Sequence, residues 1–104
     1  MIKIKFADKS LKKYLLKLKE GNDSQRKLFS NITKAVNKLK ENPFCGIQIP
    51  KKQIPGYYNV NNLWKINMPE NWRLLYSIES EKIIIICIIL EWLSHKRYER
   101  RFKY

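Results

Sequence analysis

Eight consecutive apolar residues, Ile83 to Leu90, constrain this chain more than any other stretch. They are far too few to cross a bilayer, which takes about 20, but they suit a strand buried on both faces and therefore central in its sheet. Two further strands lead into it, Leu63 to Met68 and Trp72 to Ile78, with the last running from Lys82 to Leu90. The polar turns between them, Pro69-Glu70-Asn71 and Glu79-Ser80-Glu81, are of hairpin length, so the three predict an antiparallel meander. Residues 2 to 6 alternate Ile2, Ile4 and Phe6 with Lys3 and Lys5, which reads as a half-buried strand whose lysines protect an edge. Its natural place is the free side of the apolar strand.

Two helices are expected between the first strand and the meander. Leu11, Tyr14, Leu15 and Leu18 share one face behind Asp8 or Ser10 as cap, and Gly21 stands where a left-handed C-terminal residue is wanted. Leu28, Phe29, Ile32, Ala35, Val36 and Leu39 form the stripe of the second, capped by Asp23 or Ser24 and stopped at Asn42-Pro43. From Pro43 to Asn62 no period is sustained, and Pro43, Gly46, Pro50, Pro55 and Gly56 punctuate a long ordered loop that could hide a short strand. The order βααβββ predicts an α+β fold: a four-stranded, mainly antiparallel sheet with two helices on one face and a basic C-terminal tail. At 104 residues and 44% hydrophobic, residues 1–104 suit one domain. The alternating N-terminus lacks a signal-peptide core, which predicts a cytoplasmic protein. Cys45 and Cys87 form no CxxC pair and the chain has one histidine, so neither a zinc site nor a disulfide framework is supported, and no cofactor is expected.

Twenty-two Lys and Arg against nine Asp and Glu give a net charge of +13, a field suited to a polyanionic or acidic partner. Alternation puts Trp64, Ile66, Met68, Trp72, Leu74, Tyr76 and Ile78 on the side that meets the helices. Lys65, Asn67 and Arg73 then project from the other face, near the departing tail. If that tail is helical, Tyr98 and Phe102 are four apart and dock it, leaving Arg97 and Arg101 on an adjacent stripe. The chain has seventeen lysines but five arginines, and Arg73, Arg97, Arg100 and Arg101 all fall in this patch or tail. Planar guanidinium groups grip phosphate oxygens in pairs, so phosphate is the anion inferred. The competing reading is that they pair with Glu79, Glu81, Glu91 or Glu99. His95, the one histidine, is the candidate proton-transfer group.

The βααβββ order, Asn42-Pro43-Phe44-Cys45-Gly46 after the second helix, Asn62-Leu63-Trp64-Lys65-Ile66, Trp72-Arg73-Leu74-Leu75-Tyr76 and His95-Lys96-Arg97-Tyr98 together resemble the RelE/ParE toxin superfamily of toxin-antitoxin modules, over essentially the whole chain. The resemblance implies a microbial-RNase-like fold and an acidic antitoxin as partner. For the RelE, YoeB and HigB branches it implies metal-free cleavage of mRNA on the ribosome, and for the ParE branch gyrase inhibition without RNA cleavage. A catalytically silent, nucleic-acid-binding relic is a third possibility. Carried over by position, Arg73 matches the strand arginine on the scissile phosphate, and Lys65 matches, with a one-residue gap, the first of two catalytic lysines. Asn67 stands where the second would be. His95 and Tyr98 fall in the region of the family's acid-base groups. The resemblance thus implies Arg73 and Lys65 as phosphate stabilisers, His95 as general base or acid, and Tyr98 as proton donor or stacking group. Lys51, Lys52, Asn67, Lys96, Arg97, Arg100, Arg101 and Lys103 are the expected RNA contacts.

Overall fold

In the computed structural model, which describes residues 1–102, the chain runs β1 (Ile2–Phe6), α1 (Lys9–Lys19), α2 (Asp23–Glu41), β2 (Ile47–Ile49), β3 (Leu63–Met68), β4 (Trp72–Glu81), β5 (Ile84–Ser94) and α3 (His95–Phe102). The sheet order is β1-β5-β4-β3-β2, with β1 parallel to β5 and every other pair antiparallel. The apolar strand is therefore interior, flanked by β1 and β4. Among the described residues no helix is long and apolar enough to cross a membrane.

The α+β class holds, with five strands instead of four and three helices instead of two. The fifth strand, β2, lies inside the segment read as a loop and sets Ile47 opposite Lys65 and Ile49 opposite Leu63. Three residues on a sheet edge, two of them exposed, carry no usable period. The third helix is the C-terminal tail, and it docks through Tyr98 and Phe102, the pair expected of a helical tail. The second meander turn is also displaced: β4 continues through Glu79, Ser80 and Glu81, and the chain reverses at Lys82 and Ile83. Lys82 takes a left-handed φ of 56° there, and Ile83 at the tip is 86% exposed.

The helix ends follow local chemistry. Asp8 caps α1 by accepting from Ser10 N at 2.8 Å. Asn22, not Asp23 or Ser24, caps α2: its side chain accepts from Gln25 N, and Gln25 accepts from Asn22 N in return, both at 2.9 Å. This explains Gly21, which does not adopt the expected left-handed conformation. A Cβ on Gly21 would lie 2.0 Å from Gln25 Oε1, so glycine leaves room for the capping box.

Two apolar layers sandwich the sheet. On one side α1 and α2 bury Ile32, Ala35 and Leu39 against Ile66, Leu74, Tyr76, Cys87 and Ile89. On the other, α3 and the 54–60 loop cover Leu63, Leu75 and Leu93 with Tyr98 and Tyr58. A β-bulge joins these layers to the site: Leu75 faces Glu91 while Tyr76 faces Ile89, so Leu90 is the extra residue of β5. Strict alternation from Ile89 would point Glu91 into the helix-side core. The bulge turns it to the α3 side instead.

Candidate phosphate and acid-base site

Two cations and a phenol meet where α3 crosses the sheet. Asn67 and Arg73 are direct partners across β3 and β4, and Lys65 lies two residues from Asn67, so the three share a face as alternation requires. Lys65 Nζ donates to Tyr98 Oη at 3.1 Å and lies 5.0 Å from the centre of its ring. The Arg73 guanidinium carbon is 5.6 Å from the same ring centre, and its Nη1 donates to Trp72 O at 3.2 Å. Arg73 Nε is buried and has no hydrogen-bond partner among the described residues. A buried donor without an acceptor is costly, and an anion bound at this face is one group that could satisfy it. Tyr98 is itself 3% exposed and stacks on Phe102 with ring centres 4.3 Å apart.

The remaining expected residues divide by position. His95, at the first turn of α3, is exposed and its Nε2 contacts Glu99 instead of joining the three-residue cluster. Asn67, Lys96, Arg97 and Arg100 are exposed, and Arg97 and Arg100 line one shallow depression with Arg101. Lys51 and Lys52 are exposed on a short helical turn at Lys51–Gln53. Lys103 lies outside the described residues.

Arg101 is already engaged. Its Nη1 donates to Glu91 Oε2 at 2.9 Å, and its guanidinium lies 3.7 Å from the centre of the Tyr57 ring. The same Glu91 oxygen accepts from the Tyr58 hydroxyl. Burial, then the hydrogen bond to Glu91, pushes the Tyr58 phenol well above the usual tyrosine range and keeps it a donor. Burial opposes the charge of Arg101, but Glu91 and Tyr58 more than offset it, so its pKa is raised. Glu91, Tyr57 and Tyr58 thus hold α3 against the 54–60 loop. Pairing of a tail arginine with Glu91 was one of the sequence alternatives. The participation of Tyr58 depends on the loop's path and the bulge, and neither has a local sequence signal.

Chemically, the cluster offers what attack on a phosphodiester by its own 2′-hydroxyl needs beyond a base: two cations for the phosphoryl charge and a hydroxyl proton. Because Tyr98 Oη accepts from Lys65, the phenol's own proton is the transferable one. Among the described residues no group of three or more His, Cys, Asp or Glu is arranged to hold a metal ion. The family model described as ParE toxin of type II toxin-antitoxin system, parDE, matches residues 5–91. No curated protein and no solved structure matches the chain.

Proposed function

The chain belongs to the ParE toxin family of type II toxin-antitoxin systems, and we propose that it is an RNA-cleaving member of the wider RelE/ParE superfamily. A toxin of this class has an antitoxin partner. The observation supporting cleavage is the convergence of Lys65, Arg73 and Tyr98 on one sheet face, with Arg73 Nε buried and without a hydrogen-bond partner among the described residues. In this reading mRNA on the ribosome lays its scissile phosphate across Lys65 and Arg73. The 2′-oxygen attacks the phosphorus, a base such as His95 takes its proton, and Tyr98 protonates the leaving 5′-oxygen. In this reading His95 serves as base only after leaving Glu99.

The second reading is a toxin that binds DNA gyrase and cuts nothing, as the resemblance to the ParE branch implies. It is favoured by the 3% exposure of Tyr98 and by the contact between His95 and Glu99, since both acid-base groups are then occupied. The deciding experiment compares wild type and Arg73→Ala in two assays: cleavage of ribosome-bound mRNA with EDTA present, and DNA supercoiling by gyrase. Cleavage that falls about 100- to 1,000-fold in the variant supports the enzyme. Gyrase inhibition by a wild type that leaves mRNA intact supports the binder.

A further inference from the structure

Between the last turn of α3 and the 52–57 segment lies a cleft of about 730 Å³ walled by Lys52, Pro55, Tyr57, Arg100, Arg101 and Phe102 among others, with no carboxylate among its described lining residues. The charge of Arg101 is balanced by Glu91, which leaves Lys52 and Arg100 as the exposed cations of the wall. Tyr57 is 69% exposed. One face of its ring is fixed by the Arg101 guanidinium at 3.7 Å, and the Tyr58 ring stands nearly perpendicular to it at 86° with centres 5.2 Å apart, so the phenol is braced by two neighbours. A large aromatic left in water costs stability that burial elsewhere would recover. A braced one beside cations that have no carboxylate among the described lining residues has the parts of a stacking platform for a planar anion.

We infer that this cleft is a subsite for one unpaired nucleotide of an RNA strand: the base stacks on Tyr57, and Lys52 and Arg100 hold its phosphate. The inference rests on the RNA reading of the previous subsection and extends it. The position supports the link, because Phe102 lines the cleft and stacks on Tyr98, whose hydroxyl meets Lys65. A strand with its scissile phosphate at Lys65 and Arg73 would reach the cleft a short step further along. Base stacking is tolerant of sequence, so the subsite would select unpaired over duplex RNA and not one base over another.

The test is binding, by fluorescence anisotropy, of a short single-stranded 2′-O-methyl oligoribonucleotide, which cannot be cut because its nucleophile is blocked. A matching strand with abasic positions serves as the second ligand. Tyr57→Ala should weaken binding of the intact strand about tenfold and leave binding of the abasic strand as in wild type; Tyr57→Trp should restore affinity for the intact strand. Arg100→Ala should weaken both ligands and lower the salt slope by about 0.7. Equal loss on both ligands in Tyr57→Ala would make Tyr57 a structural brace and overturn the subsite. An intact-strand affinity that does not change would overturn it too, as would loss of a protein partner from Tyr57→Ala with RNA binding unaltered. Failure of the two readings is distinguishable: a wild type that cuts no ribosome-bound mRNA yet shows the base-dependent Tyr57 effect loses the nuclease and keeps the subsite.

Discussion

Tyr98 bears more of the site than any other residue: it fills the α3-side core, stacks on Phe102 and accepts from Lys65. These roles can be separated by one oxygen. Tyr98→Phe keeps the ring and its packing, so the melting temperature should move little, while cleavage should fall about 100- to 1,000-fold if the phenol is the proton donor. Normal cleavage by a folded Tyr98→Phe would remove the phenol from the mechanism. Arg73→Lys belongs beside it, because an ammonium supplies the charge but not the planar fork and has no Nε; activity close to that of Arg73→Ala is expected. The shared face of Lys65 and Arg73 was legible because a strand's period is fixed at two. The surroundings of His95 and Arg101 were not. Which carboxylate a tail cation meets depends on helix phase and on the bulge at Leu90, and composition records neither. Arginine usage pointed to phosphate, and one of its four residues, Arg101, is instead stacked on Tyr57 and paired with Glu91.

Among the elements, α3 decides whether the Lys65 and Arg73 face is covered. Its polar anchor is Glu91, reached by both Arg101 and Tyr58, and the Glu91 and Arg101 side chains are only 16% and 22% exposed. Glu91→Gln keeps the shape and one acceptor oxygen but removes the charge that Arg101 faces. The cost should be about 2 kcal/mol, concentrated in docking of α3. Trypsin cutting at Arg97 and Arg100 should then accelerate while amide exchange in α2 stays unchanged, and uniform acceleration in both would show that Glu91 supports the fold and not the helix alone. The α2 cap offers a contrasting case, since Asn22→Ala removes the acceptor for Gln25 N and should lower global stability by about 1 kcal/mol. Long elements were legible because their signal is sustained: α2 repeats its stripe from Leu28 to Leu39, and β5 shows its apolar run. The short ones were not. β2 has three residues, and α3 shows only Tyr98 and Phe102, four apart among four Lys and Arg, which supports a helix only as a conditional reading.

For the whole molecule, the charge of +13 acts before any contact forms. An acidic antitoxin, the partner proposed here, should associate at a rate that falls steeply as salt rises, with its dissociation rate nearly constant. A salt-independent association rate would show that apolar contact, and not the field, selects the partner. Stability as a function of pH is the other global property, and its alkaline limb has identifiable origins. Burial, reinforced by Cys45, pushes the Cys87 thiol up to about 11, against an ordinary value near 9. Burial raises Tyr76 and Tyr58 above the ordinary tyrosine value of 10 as well. In each case the unfolded chain loses its proton at a lower pH than the native one. Between about pH 9 and 11 the unfolded state therefore binds fewer protons, and stability must fall as pH rises, by up to about 1.4 kcal/mol per pH unit for each group. Cys87 should start the decline and the two tyrosines should steepen it above pH 10. Cys87→Ala is expected to be less stable at pH 7, through the small void it leaves in the core, yet to hold its urea midpoint more nearly constant from pH 8.5 to 10. Parallel midpoint curves for wild type and variant over that interval would assign the alkaline loss to other groups.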